Sequence, residues 1–177
     1  PEKENILKQD FTATAINQKW CTDITYIHTQ DESWTYLASV MNFYSKKIIG
    51  WAYGTSMTAE LAIIKAVENA CLNVSNTTGI ILHSDLGSQY TSKSFERYLA
   101  KKKIHHSFSR KGCPYDNACI ESFHSVLKKE EIYRKAYKDS TAAYNSIEHI
   151  ESWYNRKRIH SSLGYRTPEA VHAGGAA

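Results

Sequence analysis

Between Thr58 and Ser109 the chain changes its hydrophobic period repeatedly, and this alternation limits the fold more than any other feature. The run AELAIIKAVENACLNV after Thr58 carries its apolar residues at helical spacing. Thr58 suits the N-cap, and Glu60 adds favourable negative charge to the first turn. NTTG ends this helix, and Gly79 to His83 reads as a short strand buried on both faces. Ser92 or Ser94 opens a second helix to about Lys102, and Ile104 to Ser109 reads as another strand. Strand, helix, strand at this spacing requires a crossover and therefore parallel pairing.

Upstream the pattern is different. Trp20 to Thr29, Trp34 to Tyr44 and Lys46 to Thr55 read as three strands, rich in Thr, Ile, Tyr and Val. The turns between them are short, which predicts an antiparallel meander. Residues 110–115, RKGCPY, form a loop. From about Asp116 to Tyr133 the period is helical again, with Ile120, Phe123 and Leu127 on one side. A last helix runs from about Ser140 to Arg156, its stripe including Ala143, Ile147, Ile150 and Tyr154. The tail IHSSLGYRTPEAV has no assigned conformation. Residues 1–18 read as a loosely structured leader, and 19–177 as one domain with a C-terminal helical extension. The expected fold is α/β: a five-stranded mixed sheet, three antiparallel strands then two parallel ones, flanked by helices. That order is the ribonuclease-H-like architecture.

At 177 residues, one domain has ample length to bury a core. Hydrophobic content of 42% with 23% charged residues excludes a disordered chain. The chain starts at Pro1, which suits a fragment of something longer. No apolar run approaches the roughly 20 residues that span a bilayer, and no basic-then-apolar leader indicates secretion. Cys21, Cys71, Cys113 and Cys119 form no CxxC pair and are expected to be free thiols in a reducing cytoplasm. Net charge is +4 but uneven. Residues 1–92 carry 6 Lys and Arg against 9 Asp and Glu; residues 93–177 carry 16 against 9. A basic half beside a carboxylate cluster suits a polyanionic substrate.

Three carboxylates stand out. Asp23 lies mid-strand, where aspartate is disfavoured and costly to bury. It shares a strand face with Cys21, Thr25 and Ile27. Asp85 follows a strand's end, a usual place for ligand contacts in sheets with parallel strands. Glu121 lies early in a helix, with 35 residues between it and Asp85. Carboxylates from three elements can converge, and they suit hard cations such as Mg²⁺. Two such ions can activate an attacking oxygen and stabilise a leaving one. Each acid also has an ordinary reading: Asp85 as a turn initiator, Glu121 as a surface helix residue, Asp23 as a lysine's partner. Other chemistries are poorly supported. His105, His106, Cys113 and Cys119 lack zinc-finger spacing, Ser84 lacks a GxSxG elbow, and no Gly-rich phosphate loop is present. On the helix of Glu121, Lys128 falls at i+7 on the same face, with His124 and Ser125 at i+3 and i+4. The run YNRKRIH, with Arg156, Lys157 and Arg158, mixes cations and aromatic rings as strand-contacting surfaces do.

These residues, in the stretches WCTDITYI, YSKKIIGW, HSDLGSQYTS, SRKGCPYDNACIESFHSVLKKE and YNRKRIHSSLGYRTPEAV, carry a resemblance. The chain resembles the catalytic domain of the DDE transposase and retroviral integrase superfamily, and within it the orfB-type transposases of bacterial insertion sequences. The resemblance runs from about Gln18 to Val171. It implies that Asp23, Asp85 and Glu121 hold two Mg²⁺ or Mn²⁺ ions and catalyse DNA cleavage and strand transfer. It places Gly87, Gln89 and Tyr90 in the loop beside the second acid, with Gln89 and Tyr90 contacting DNA. Asn117 is implied to contact DNA or orient its helix, and His124 and Lys128 to lie by the scissile strand. Expected partners are DNA, both element ends and target, and further copies of the chain. A DNA-reading region is expected outside this chain or in a partner protein. The expected location is the bacterial cytoplasm, at the nucleoid. Asn42 stands where relatives often have aspartate, which implies a less negative surround without loss of the three acids. Two other readings compete: a ribonuclease H or resolvase type nuclease, whose extra carboxylate would have to be Glu60 or Glu68, and a DNA-binding module without activity.

Overall fold

The computed structural model describes residues 3–55 and 58–175. Strands β1 (Lys19–Thr29), β2 (Ser33–Asn42) and β3 (Ile48–Gly54) form the antiparallel meander, and β4 (Ile81–Ser84) and β5 (His105–Phe108) extend it in parallel. The sheet order is β3-β2-β1-β4-β5, so β1 is central and antiparallel on one side, parallel on the other. This is the ribonuclease-H-like mixed sheet expected from the sequence.

Period-two alternation sorts β1 between two cores. Its even residues face helices α1 (Ala59–Cys71) and α2 (Lys93–Lys102). There Trp20 packs with Ala38, Val40, Ile63, Val67, Leu82, Phe95 and Leu99. Its odd residues face helices α3 (Ala118–Glu130) and α4 (Ser140–Arg156). Cys21 meets Ile120, Phe123 and Tyr154, and Ile27 meets Leu127, Ile147 and Ile150. Asp23 is odd-numbered, so the alternation that builds the second core also aims this carboxylate at α3.

Caps set the helix starts. Thr58 Oγ1 accepts from Leu61 N, Ser92 Oγ from Phe95 N, and Asp139 Oδ1 from Ala142 N. Of the two serines that could open α2, Ser92 is therefore the cap. Several boundaries differ from the sequence reading. The β2–β3 turn occupies Phe43 to Lys47, where Lys46 takes φ 56° and donates to Asn42 O. Gly79 at φ 85° belongs to the turn before β4 rather than to the strand. A 3-10 turn, Pro114–Asn117, precedes α3, so Asp116 is not yet in the helix. Helix α3 stops at Glu130, and a second 3-10 turn, Ile132–Arg134, holds Tyr133.

The described segments nearest both termini dock. Segment 3–18 has no helix or strand, yet Phe108 N donates to Glu4 O, and Ile6 N and Leu7 N both donate to Ser107 Oγ. Leu7 is buried in the second core. The tail forms helix α5 (Pro168–Gly175), held to the β2–β3 turn by Ser45 with His172 at 2.9 Å and Lys47 with Glu169 at 2.8 Å. The four cysteines are free. Among the described residues no helix is long and apolar enough to cross a membrane.

Candidate active site

Asp23 lies in the middle of the central strand, directly opposite Ser39 of β2, with its side chain 20% exposed. Beside it stands His124 from α3, at 3.7 Å between Oδ2 and Nδ1. The other ring nitrogen of His124 is 3.1 Å from Ser39 Oγ. Asp85 follows β4 in an exposed loop. Its Oδ1 accepts from Gly87 N at 2.8 Å, an Asx turn that points the carboxylate back over the loop. A Cβ on Gly87 would lie 2.9 Å from that oxygen and 2.8 Å from Gln89 Oε1, so a side chain there would push both polar groups aside. Glu121 is exposed in the first turn of α3.

Glu121 belongs to two adjoining clefts. One is lined by Asp23, Thr25, His124, Ser125, Lys128, Lys129 and Tyr133; the other by Asp85, Gly87, Arg110, Lys111 and Asn117. Glu121 is therefore the residue shared by the cleft of Asp23 and the cleft of Asp85. The charges of the three acids are coupled. Partial desolvation, then the Asp23 charge, raises the Glu121 carboxyl, with His124 opposing and Asp85 adding to the rise. Desolvation raises Asp85 too, against the Gly87 amide, and the Asp23 charge adds to it. Among the described residues no Lys or Arg forms an ion pair with any of the three, so the lysine partner that Asp23 might have had is absent. Uncompensated carboxylates of this kind suit a divalent cation held by oxygen. As they stand, no three His, Cys, Asp or Glu side chains among the described residues are close enough to share one ion. Asp85 and Glu121 are both exposed.

The other residues singled out from the sequence fall into different places. Lys128 lines the cleft of Asp23, and Asn117 that of Asp85. Asn117 is 6% exposed, and its Oδ1 is buried without a hydrogen-bond partner. Gln89 is half-buried over the Asp85 loop. Tyr90 is a correction. It is 2% exposed, packed edge-on against Phe95 with its hydroxyl 3.4 Å from Thr22 Oγ1, and it closes the α2-side core instead of facing DNA. His124 is buried at 5% and lines the cleft of Asp23 with its ring between Asp23 and Ser39. Arg156 and Lys157 are exposed and Arg158 half-buried at the end of α4, and none of them lines either cleft. Asn42 is fully buried, bonded to Asn17 Oδ1 and Tyr44 N, and serves the β2–β3 turn away from the acids. Glu60 and Glu68 lie on α1, across the sheet from Asp23, and Glu68 pairs with Lys65. The sequence reading missed Arg110, Lys111 and Tyr133. The first two are adjacent cations before a glycine; Tyr133 sits at the end of a helical period, which hides the 3-10 turn that carries it.

Two models of the integrase core domain match the chain, over residues 13–114 and 102–168. The transposase InsF of insertion sequence IS3A from Escherichia coli K12 is 42% identical over 170 residues, covering 96% of this chain and 58% of the relative. The transposase of IS904 from Lactococcus lactis is 40% identical, covering 94% and 66%. The chain thus spans about three fifths of the length of these relatives. Among solved structures, the HTLV-2 integrase catalytic core domain in complex with magnesium superposes with a TM-score of 0.66 at 16% identity, covering 91% of this chain and 99% of that one. A simian T-cell lymphotropic virus intasome chain superposes with a TM-score of 0.75, also at 16% identity, covering 90% and 55%. At such identity the structures speak for the fold, and the family follows from the sequence match: the chain belongs to the integrase core domain family.

Proposed function

We propose that this chain is the catalytic core of an insertion-sequence transposase, cutting DNA at the element's ends and joining them to a target. The observation that supports this reading is that Glu121 lines both the cleft of Asp23 and the cleft of Asp85, with Lys128, Lys129, Arg110 and Lys111 lining the same two clefts. The three carboxylates would hold two Mg²⁺ or Mn²⁺ ions, which when bound supply Lewis-acid stabilisation of the attacking and leaving oxygens. The chain's own residues orient the reactants. His124, backed by Ser39, fixes Asp23; the Gly87 amide fixes Asp85; Lys128 offers a cation to a phosphate beside Glu121.

The reaction has two displacements at phosphorus. Water attacks a phosphodiester at the element's end, and the 3′ oxygen leaves as a hydroxyl once protonated. That 3′ hydroxyl then attacks a target phosphodiester in line, loses its proton and expels a second 3′ oxygen. No side chain is covalently joined to DNA. The working form is a multimer bridging two ends, in the bacterial cytoplasm, with end recognition supplied outside this segment. Members of a nuclease class would instead draw a further carboxylate from the first helix, and here Glu60 and Glu68 lie across the sheet.

The test is a gel assay with a labelled donor strand ending in a 3′ hydroxyl and Mn²⁺ present. The expected result is a joined product longer than the donor, lost in Asp85→Asn while DNA binding persists. Cleavage without joining would assign the chain to the nucleases, and undiminished activity in Asp85→Asn would refute the acid triad.

A further inference from the structure

We propose that Tyr133 is a base-stacking subsite for a nucleic-acid strand, at the far end of the cleft that begins at Asp23 and Glu121. The proposal rests on the reading of that cleft as the strand-transfer site and adds where the strand runs from there. Several tyrosines are exposed on this protein, and single exposed aromatic rings need no explanation. Tyr133 differs because it is 73% exposed and lines the same cleft as two of the acids.

Its turn is anchored on both flanks. The 3-10 turn that carries it follows Glu131, which is buried, takes a 2.9 Å hydrogen bond from Ser146 Oγ of α4 and pairs with Lys135. On the other side, Arg134 Nε donates to Lys129 O at 3.1 Å, and its guanidinium pairs with Glu130 at 3.3 Å. Ile132 packs into the core beneath. A ring held out from a turn pinned on both flanks loses little entropy on stacking, which is what a preorganised contact requires.

The path to it is basic. Lys128 and Lys129 line the cleft between Glu121 and Tyr133. Cations along a groove with an aromatic ring at its end are the combination by which proteins hold single strands: phosphates follow the cations, and a base stacks on the ring whatever its identity. Glu121 to Glu130 spans about 14 Å of helix at about 1.5 Å per residue. That equals about four steps of a stacked strand at about 3.4 Å each, and fewer for a stretched one. The stacked base therefore lies about two to four nucleotides from the phosphate that reacts at the acids.

The experiment uses the full chain and a DNA duplex with a single-stranded overhang, in which 5-iodouracil replaces each overhang base in turn. Irradiation without divalent metal, followed by peptide mapping, should place the crosslink on Tyr133 for bases about two to four positions from the reactive phosphate and not beyond. Binding of the same overhang should weaken roughly fivefold to a hundredfold in Tyr133→Ala, as expected for one lost base-stacking contact, and Tyr133→Phe should recover most of that loss. Unchanged binding in Tyr133→Ala, an equal loss in Tyr133→Phe, or crosslinks confined to other residues would each overturn the subsite. None of these outcomes bears on Asp85→Asn, so the catalytic reading stands or falls separately.

Discussion

His124 stands 3.7 Å from Asp23, and its opposite ring nitrogen is 3.1 Å from Ser39 Oγ, so a buried imidazole bridges the neighbouring strand to the first acid. The contact to Asp23 is longer than a hydrogen bond and acts through packing, with the Ser39 bond holding the ring in place. If Asp23 is a metal ligand as proposed, a partner of this kind orients its carboxylate, and its loss costs roughly 10- to 100-fold in metal affinity or activity. His124→Ala should therefore weaken Mn²⁺ binding, followed by direct titration, and slow strand transfer by a similar factor. It should also leave Ser39 without its partner. His124→Gln, which keeps a polar end in the same space, should recover part of both losses. Equal metal affinity in wild type and His124→Ala would show that the imidazole only fills space.

Gly50 marks the closest approach of α1 to the sheet. A Cβ built there would lie 2.4 Å from Ala66 O, 2.5 Å from Ala70 N and 2.8 Å from Ala70 Cβ. Two of these atoms are helix backbone, so no side-chain rotation relieves the clash. Gly50→Ala should cost about 3 kcal/mol, at the upper end for overpacked cores. Urea denaturation at neutral pH measures it. A midpoint within error of wild type would mean that α1 can slide along β3.

Asp116 is the fastening point of the leader. Its side chain is wholly buried and accepts from Asn5 Nδ2 at 3.1 Å, Gln9 Nε2 at 3.4 Å and Arg110 N at 3.0 Å. Burial works to raise this carboxyl, but the Arg110 amide, the Gln9 side chain and the Arg110 charge overcome it and hold it below its usual range. Asp116→Ala should cost about 2 to 3 kcal/mol, because charged hydrogen bonds are lost and buried donors are left unpaired. It should also release residues 4–9 to limited proteolysis. A leader that stays protected in Asp116→Ala would show that Leu7 and the Ser107 contacts hold it alone.

What the sequence made legible was whatever a local period records. Alternation along β1 put Asp23 on one face with Cys21, Thr25 and Ile27, and that face is the one that meets α3. The switch to helical spacing after Thr58 announced the parallel pairing of β4. Position within a motif was a poorer guide. Tyr90 lies five residues after Asp85 and reads as part of its loop, yet the chain folds back there and sends the ring into the core. The leader looked loose because its fastening depends on partners about a hundred residues away, Ser107 and Asp116, which no local pattern reveals. Helix α5 is only eight residues long and is held by the β2–β3 turn, so its own sequence carried little signal.

His106 and His83 make the fold sensitive to acid. His106 lies against Phe95 and Phe108 with Nε2 2.8 Å from Ser84 Oγ; burial, then the neighbouring charges of His83 and Lys3, lowers its pKa to about 3. His83 bridges Ser107 and Ser109, and burial lowers its pKa to about 4, with Asp116 opposing. The folded protein holds both rings neutral, while the unfolded chain protonates them below about pH 6.5. Protons therefore favour the unfolded state, and stability falls as pH drops from 6.5 towards the folded values. At pH 5 the loss is roughly 2 kcal/mol for each ring. His160 and His172, lowered chiefly by burial, add to it, whereas Asp85 and Glu121, raised, oppose it at lower pH. Melting temperature should thus decline steadily between pH 7 and pH 5. His106→Phe keeps an aromatic ring beside Phe95 and removes one titrating group, so its decline should be shallower. Parallel declines for the two proteins would mean that the imidazole of His106 is reached by water and protonates without unfolding.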